Sequence, residues 1–364
     1  MSQSVFYRVM LIPSVVWLSV VFGAATGTGR EIVEFLVPAG AWGGIVTIGV
    51  ITLVYITGFF LCFELARLFK AYDYQILSTQ FLGKFWPAYE VTILLAMILS
   101  LAIVSTASGE IFFTRFQLPR LWGVVGMLTV VIVFTYYGRV FIEKTMALTS
   151  MLLIMTFIYI GIQVIGSDDL AIADTFANSE VHFRGVSNGF VYSLVIVALM
   201  PLVLYAGRGI RSRSESVIAA MCAGITGALP LFFLHTIFSP GYPEILDAEM
   251  PTFWLLERIS PDWFIDIYAI VLFIMIVQTG VGMMQGFIER MDSWYNKHHD
   301  GSLSPVWHAL LSCLTLVISL LLSTIGFIEL VRNSYWLLFY CFILIFWVPL
   351  MTIGVYKVYK HGDG

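Results

Sequence analysis

Charged residues are scarce in this sequence. They make up 12% of its 364 residues, whereas a soluble domain carries about 25%. Hydrophobic residues account for 59%, and the mean hydropathy is +0.91. This composition excludes an ordinary soluble enzyme or nucleic-acid-binding domain. Apolar runs of roughly 20 residues or longer recur along the whole chain, which predicts a multi-pass membrane protein with the lipid bilayer as its surroundings.

Cysteine is also rare, and the motifs of common catalytic and metal sites are missing. The P-loop pattern and zinc-ligand spacings are absent, and no cluster of His, Asp and Glu at ligand spacing lies within or beside an apolar run. An enzyme and a cofactor are therefore not expected, apart from Na⁺ as a coupling ion. A structural disulfide is not expected either, because all four cysteines fall inside apolar runs: Cys62, Cys222, Cys313 and Cys341.

The apolar runs predict ten membrane-spanning helices in a single transmembrane domain, residues 1–364. The first run is too long for a cleavable signal peptide and lacks a small-residue cleavage site. The connections are short, and none is long enough to form a soluble domain. The spans have the approximate bounds 7–37, 41–69, 86–114, 119–138, 145–166, 186–207, 216–239, 262–292, 304–326 and 331–356.

Lysine and arginine indicate the orientation of these spans. Most of them lie at the two chain ends and in the connections after spans two, four, six and eight. Cytoplasmic connections are enriched in these residues. We therefore expect both termini in the cytoplasm of a cell membrane, here a bacterial inner membrane. Near the opposite surface, Glu110 at the end of span three is expected to pair with Arg115.

Span one is interrupted near its middle by the sequence Phe22-Gly-Ala-Ala-Thr-Gly-Thr-Gly-Arg-Glu-Ile32. Backbone at bilayer depth satisfies its own hydrogen bonds unless it lines a cavity or binds a solute. The interruption therefore indicates a broken helix at a binding site. The half-helix that starts near Gly29 would present N–H groups to a carboxylate, and the carbonyl groups near Gly23 would hold Na⁺ or an ammonium group. A small zwitterion fits both ends.

Span six is interrupted in turn by Pro201, which lacks a backbone donor. A proline kink without function would give the same local pattern. In a ten-span chain, however, spans one and six hold equivalent positions in two five-span halves, residues 7–166 and 186–356. Because five is odd, the halves have opposite topology. The predicted fold is all-α, a 5+5 inverted repeat like that of the leucine transporter (LeuT), with helices 1 and 6 broken at mid-membrane.

Glu31 is the leading candidate for chemistry at the first break. An ionised carboxylate near mid-membrane costs a few kcal/mol unless it is paired. It could bind a substrate amino group, hold a cation or carry a coupled proton; a helix cap or a salt bridge to Arg30 is the structural alternative. The break itself supplies the other candidates for substrate binding in this span: Gly23, Ala24, Ala25, Thr26, Gly27, Thr28 and Gly29.

Other spans contribute further candidates for substrate binding. Ser105 and Ser108 share one face of span three, although such serines often bond back to their own helix. Tyr192, Met200 and Tyr205 flank the break in span six.

Cation or proton coupling is predicted where spans one and eight meet. Thr279 lies near the centre of span eight, and proteins of the LeuT fold often build a cation site from helix-eight hydroxyl groups and helix-one carbonyl groups. Close packing of small residues is the alternative reading of this part of span eight. The coupling candidates are Gly23, Thr26, Glu31, Gln278 and Thr279.

The first interruption also carries a family resemblance. The sequence from Gly23 to Phe35 resembles the first-helix signature of the YkvI-type bacterial membrane proteins, Gly-Ala-Gly-Phe-Ala-Ser-Gly-Gln-Glu-Ile followed by an aromatic residue. Gly23, Gly29, Glu31, Ile32 and Phe35 match this pattern, and Arg30 stands where the family usually has Gln. The resemblance implies an amino acid permease of the amino acid–polyamine–organocation superfamily.

These observations predict a secondary active transporter, a permease of amino acids or related small zwitterionic or cationic solutes, with Na⁺ or H⁺ symport. Its partners would be the small-molecule substrate and the lipid bilayer, and homo-oligomerisation stays open. A ligand receptor without transport, like a germinant receptor subunit, is the alternative, because such subunits have a similar length and span number. A channel is less consistent with two broken helices at repeat positions, which suit alternating access better than a continuous pore.

Overall fold

Helices make up nearly the whole structure. The computed structural model describes residues 4–21, 23–137, 139–167, 170, 172–296 and 305–361, and this part of the chain contains no β-strand. The helices are α1 (Ile12–Val21), α2 (Ala24–Thr28), α3 (Arg30–Phe35), α4 (Ala41–Phe69), α5 (Tyr74–Leu82), α6 (Trp86–Phe116), α7 (Arg120–Tyr137), α8 (Arg139–Ile165), α9 (Ile172–Ala177), α10 (Phe183–Val197), α11 (Arg213–Phe238), α12 (Pro251–Ile259), α13 (Asp262–Asn296), α14 (Pro305–Leu322), α15 (Phe327–Phe342) and α16 (Val355–His361).

Helix length and composition show a multi-pass membrane protein. Within the described residues, six helical segments are long and apolar enough to cross a membrane, and a bent pair, Gly185–Val197 with Met200–Gly209, makes a seventh. Three shorter apolar helices are also present: Phe6–Val21, Arg120–Phe134 and Ile154–Ile165. Each of the ten predicted spans overlaps one helix or one interrupted helix of the structure.

The first predicted span is interrupted in a stretch that is rich in glycine and threonine, residues 23–29. Gly23 is extended, with φ −106° and ψ −173°, and it separates α2 from the residues before it. Gly29 has φ 79°, a left-handed conformation that ends α2 before α3 begins. Residues with a side chain avoid this conformation, and glycine adopts it freely. The chain therefore crosses this region as short helical pieces with two backbone discontinuities.

The second interruption follows α10. Pro201 lies in a 3₁₀-helical segment, Met200–Gly209. The axis of this segment is bent by 63° from that of the preceding helical segment, Gly185–Val197. Proline supplies no N–H donor and clashes with the preceding turn, which explains why the α-helix ends here.

The interior is built around α4, which packs along α10 and α11, while α6 packs along α7 and α13. Close approach of α4 and α11 depends on Gly224, since a Cβ there would lie 2.6 Å from Cγ1 of Ile56 and 3.1 Å from its backbone nitrogen. Small residues of this kind allow helices in a membrane to gain packing energy. Both helix interruptions are thereby held beside a tightly packed group of helices.

Candidate functional site

A cavity of about 170 Å³ lies at the first interruption. Its walls come from the residues around the break and from α6, α10, α13 and α15. Most of the lining is aliphatic, including Val20, Ile103, Leu199 and Leu338. It is smaller than the pockets of roughly 300–1,000 Å³ that hold drug-sized ligands. The side chains with polar groups that line it are Thr26, Glu31, Ser100, Thr279, Ser334 and Tyr335.

Glu31 is buried at this cavity, with 6% of its surface exposed. Its Oε1 accepts a hydrogen bond of 2.5 Å from the hydroxyl group of Tyr335 on α15, and its Oε2 lies 3.5 Å from Oγ1 of Thr26. In the described part of the chain, no lysine, arginine or histidine forms a salt bridge with Glu31. A buried carboxylate without a basic partner is expected to take up a proton or to bind a cation.

The Thr26 hydroxyl group shows how the proton can be accommodated. Its single hydrogen is donated to the carbonyl oxygen of Val21 over 2.7 Å. Because a threonine hydroxyl has only one hydrogen, it cannot also donate to Glu31 Oε2. A close hydrogen bond between these two oxygens would need the proton to come from Glu31. The local geometry can thus hold Glu31 in its neutral form, with Thr26 as the acceptor.

Three tyrosines lie close to Glu31, and one of them, Tyr335, also lines the cavity. The rings of Tyr192 and Tyr335 stack with centroids 5.7 Å apart and an angle of 10° between their planes. Phe35 packs against both rings. The hydroxyl groups of Tyr55 and Tyr192 are buried and make no hydrogen bond of normal geometry, although the two groups interact electrostatically with each other and with Glu31. The carboxylate therefore faces phenol groups and no fixed cation.

Two of the backbone N–H groups at the start of α3 have partners. Gly29 N donates to Thr26 O over 3.1 Å, and Arg30 N donates to Thr28 Oγ1 over 3.2 Å. On the carbonyl side, Gly27 O accepts hydrogen bonds from Tyr268 and, over 3.0 Å, from Thr252. The N–H groups of Gly29 and Arg30 are therefore not available to a ligand carboxylate in this conformation.

The structure brings only part of the predicted site together. Six of the predicted residues line the cavity. Five of them lie at the first interruption, and the sixth lies on α13: Gly23, Ala24, Ala25, Thr26, Glu31 and Thr279. The remaining predicted residues are not among those that line it: Gly27, Thr28, Gly29, Ser105, Ser108, Tyr192, Met200, Tyr205 and Gln278.

The serines of α6 show why some predicted residues lie elsewhere. Ser105 Oγ donates to Leu101 O over 2.6 Å, and Ser108 Oγ donates to Ser105 O over 2.6 Å and lies 3.1 Å from Gly123 O on α7. Both hydroxyl groups are used within the helix packing. Tyr205 is 53% exposed, so its ring is not enclosed with the cavity.

Three polar residues of the cavity were missed by sequence reasoning: Ser100, Ser334 and Tyr335. Ser334 is 3% exposed, and its hydroxyl group has no hydrogen-bond partner among the residues that the structure describes. For Ser334 and Tyr335, the available signal was the polar stretch Asn333-Ser334-Tyr335. The predicted start of span ten near residue 331 placed this stretch at the membrane interface. In the structure α15 begins earlier, at Phe327, which places these residues deeper along the helix.

Arg30 and Glu34 lie on α3 beside Glu31 and are not among the residues that line the cavity. Arg30 is 1% exposed; it pairs with Glu34 over 2.6 Å and donates to the carbonyl oxygens of Leu246 and Ala248, each over 2.9 Å. Glu34 also accepts a hydrogen bond of 2.5 Å from Arg332 on α15. The structural alternative for Glu31, a salt bridge to Arg30, is therefore wrong, because Arg30 is committed to Glu34.

A second link joins α15 to the connection before α12, which contains Leu246, Ala248 and Glu249. Glu249 Oε2 accepts a hydrogen bond from the backbone N–H of Ile328 over 3.2 Å. Burial, and then the nearby Glu110 carboxylate, raise the pKa of the Glu249 carboxyl group above its ordinary value. Glu110 itself pairs with Arg120 over 2.5 Å, not with Arg115 as expected from sequence. We call the residues Arg30, Glu34, Glu249 and Arg332 the closing network.

At the other end of the first span, Arg8 pairs with Glu215 of α11 and donates to the carbonyl oxygen of Gly209. Glu215 also accepts a hydrogen bond from Arg211 N over 2.7 Å. The cavity lining on α6 runs from Ile93 to Val104, across the middle of that helix. Glu110, whose carboxylate is near Glu249 of the closing network, lies beyond this lining toward the carboxyl end of α6.

Gly29 offers a direct test of the geometry at the break. A Cβ at this position would lie 2.7 Å from Cζ of Phe238 and 2.9 Å from Oγ1 of Thr252. Gly29→Ala is expected to lose about 1–2 kcal/mol from the left-handed backbone and roughly 1–3 kcal/mol more from overpacking. Thermal unfolding of the purified protein measures the loss. Gly282→Ala on α13 is the matched control, because a Cβ there meets no atom within 4 Å; equal stability of both variants would contradict the geometry.

Other depressions do not combine these features. One of about 380 Å³ is lined by Tyr242, Trp254 and Arg258, and another of about 360 Å³ by Glu180, His182 and Tyr242. Neither contains a predicted site residue. Within the described residues, no group of three or more His, Cys, Asp or Glu side chains could hold a metal ion.

Comparison with known proteins returns structural matches only. No protein-family model matches the sequence, and no curated protein sequence matches it. Solved structures of a manganese transporter from Eremococcus coleocola match the chain. The complex with an aromatic bis-isothiourea compound has 11% identity and a TM-score of 0.49, covering 88% of this chain and 75% of that one. A histidine-to-alanine variant and a glutamate-to-glutamine variant each have 12% identity and a TM-score of 0.49, covering 94% and 76%.

These matched structures are of a membrane transporter and not of an enzyme. At this identity and TM-score, the likeness carries no argument about the solute, the coupling ion or the helix arrangement of the present chain.

Proposed function

We propose that this protein is a secondary active transporter of small solutes, among amino acids and related zwitterionic or cationic compounds, coupled to H⁺ or Na⁺. The observation that carries the proposal is Glu31, a buried carboxylate without a basic partner, at a cavity beside an interrupted helix. Ionisable groups inside a membrane mark ion and substrate pathways. Interrupted helices at corresponding positions of two halves are typical of transporters with inverted repeats.

The proposed architecture is the 5+5 inverted repeat, with residues 7–166 and 186–356 as the two halves. The interruption at Gly23–Gly29 lies in the first helix of one half, and the interruption at Pro201 lies in the first helix of the other. Placing the termini in the cytoplasm follows from the lysine and arginine distribution. The closing network then lies on the outer side of the protein.

Alternating access follows from this arrangement. The closing network ties α3 to α15 and to the connection before α12, so this conformation is closed on the outer side. Opening to the outside would require these contacts to separate, while the Arg8–Glu215 pair and its neighbours hold the inner end of span one. Rocking of one helix group against the other exposes the same site to each side in turn.

Two residues distinguish the coupling ions. Glu31 can take up a proton with Thr26 as hydrogen-bond acceptor, which supports H⁺ coupling. Thr279 lines the same cavity and supplies a hydroxyl oxygen, which supports Na⁺. A Thr279→Ala variant with unchanged ligand binding and an unchanged response to Na⁺ would remove the support for the sodium site.

A thermal-shift screen of the purified protein tests the proposed function. It would use amino acids, polyamines and betaines, each with and without Na⁺ and at two pH values. A ligand that binds only the folded state stabilises it by mass action, by about 2.7 kcal/mol at a concentration 100 times Kd. Stabilisation by a ligand that changes with pH supports H⁺ coupling, and stabilisation that requires Na⁺ supports Na⁺ coupling. A ligand that binds but is never moved across vesicles would favour the receptor alternative instead.

A further inference from the structure

We infer that the preferred ligand of this cavity is a small organic monocation, a primary amine with an apolar body and no carboxylate, and that this amine and a proton occupy Glu31 in turn. The inference rests on the proposed function and narrows its substrate class. It also makes the transport reaction an exchange, in which one amine displaces one proton.

The first argument is the charge of the cavity. Among the described residues that line it, Glu31 is the one carboxylic acid, and none of them is Lys, Arg or His. Arg30 on α3 and Arg332 on α15 are bound to Glu34. A zwitterion whose ammonium group pairs with ionised Glu31 would therefore leave its own carboxylate in the cavity without a compensating cation, which is unfavourable. A ligand with a positive charge alone has no such cost.

The second argument is the set of acceptors. An ammonium group has three N–H donors and no acceptor. The carboxylate of Glu31 offers the charge-assisted partner, and Ser334 Oγ is a buried hydroxyl on the cavity wall without a hydrogen-bond partner. Ca²⁺ takes six to eight oxygen ligands and Mg²⁺ takes an octahedron of six, and the mostly aliphatic wall does not supply them.

The third argument is the shape of the remainder of the cavity. The walls beyond Glu31 are formed by Val20, Ile103, Leu199 and Leu338, which suit a short aliphatic group. The volume of about 170 Å³ limits that group to a few carbon atoms. Burial of the CH₂ groups of the ligand is favourable, so the apolar body adds affinity to the ammonium contact.

The fourth argument is the exchange of charge. With no ligand bound, Glu31 is neutral in this exchange, and Thr26 Oγ1, which lies 3.5 Å from Oε2 and donates its own hydrogen to Val21 O, is placed to accept the Glu31 hydrogen. When the ammonium group binds, that proton leaves to water and the carboxylate pairs with the amine. The cavity carries no net charge in either state. Proton and amine compete because each satisfies the same oxygen.

The groups that face Glu31 from neighbouring helices do not replace it in this exchange. They are the phenol groups of Tyr55 on α4, Tyr192 on α10 and Tyr335 on α15. His235 on α11 is held by the carbonyl oxygen of Ala41 and by Ser239. The two arginines on α3 and α15 stay paired with Glu34.

Isothermal titration of the purified full-length protein tests the inference with three compounds that share one branched body. They are isoamylamine as the cation, leucine as the zwitterion and isoamyl alcohol as the neutral compound. We expect isoamylamine to bind at least tenfold more tightly than either of the others. Titration in two buffers of different ionisation enthalpy should show proton release on binding, approaching one proton per amine as the pH is lowered. Ser334→Ala should weaken amine binding several-fold and leave proton release unchanged.

Leucine that binds as tightly as isoamylamine would overturn the inference, while the transporter proposal would stand. Amine binding without proton release would overturn the exchange. Absence of binding by all three compounds would contradict the assigned ligand class. Isoamylamine that binds with proton release but does not move across proteoliposomes would support the ligand assignment and count against the transport proposal, so the two failures are distinguishable.

Discussion

Replacing Glu31 by glutamine is expected to weaken the binding of a cationic solute by about 30-fold to several thousand-fold. This range corresponds to the roughly 2–5 kcal/mol that removal of one member of a buried charged pair costs. Gln keeps the size of the side chain and an oxygen that can accept the hydrogen bond from Tyr335. Titration calorimetry of the Glu31→Gln variant measures the affinity, and the same experiment shows whether proton release disappears with it.

The empty Glu31→Gln protein should be as stable as the wild type or more stable. A buried carboxylate without a basic partner contributes no ion pair whose loss would destabilise the fold. Glu257→Gln is the matched control, since Glu257 is an exposed carboxylate on α12 and does not line the cavity. Unchanged affinity in Glu31→Gln, or equal losses in both variants, would contradict the role assigned to Glu31.

Replacing Glu34 by glutamine is expected to have the opposite signature, a large loss of stability. Arg30 is 1% exposed and has Glu34 as its carboxylate partner. Removing one member of a buried ion pair costs about 3–5 kcal/mol, because the remaining charge is uncompensated. Thermal unfolding of Glu34→Gln in detergent should therefore show a clear decrease in Tm.

Two further variants separate this effect from a general loss of charge. Glu329→Gln removes an exposed carboxylate from the first turn of α15 and should leave Tm unchanged. Arg332→Gln should cost only about 0–1 kcal/mol, because the Arg332 side chain is 50% exposed and such pairs are weak. If the Glu34→Gln variant has the same Tm as the wild type, the closing network does not stabilise the described conformation.

The interruptions of the first and sixth spans were predictable because their causes are local. Gly23 and Gly29 permit backbone conformations that other residues avoid, and Pro201 cannot donate a helix hydrogen bond. The position of Glu31 just after the first break also follows from the sequence alone. These features need no knowledge of which helices are neighbours.

The partners of Glu31 could not be predicted in the same way. Tyr335 and Ser334 are about three hundred residues away along the chain, and only the packing of α15 against α3 brings them to the break. The serines of α6 had the expected spacing, but their hydroxyl groups are directed to Leu101 and Ser105 backbone oxygens. Spacing identifies residues that share a helix face. The neighbouring helices determine whether that face lines a cavity or packs against other side chains.

Ion pairs were equally dependent on tertiary structure. Glu110 lies five residues from Arg115 in sequence, yet it pairs with Arg120, while Arg115 pairs with Asp262 and Asp266 on α13. Arg30 could reach several carboxylates by sequence, and the structure places Glu34 within 2.6 Å.

Solute-driven proton movement in proteoliposomes tests the central claim most directly, namely that Glu31 and its cavity move a solute across the membrane. The protein would be reconstituted with a pH-sensitive dye inside the vesicles, and isoamylamine or the strongest ligand of the thermal-shift screen would be added outside. The account predicts solute uptake with a coupled pH change in wild type and Glu257→Gln, and neither in Glu31→Gln. Full coupled uptake by Glu31→Gln would contradict it.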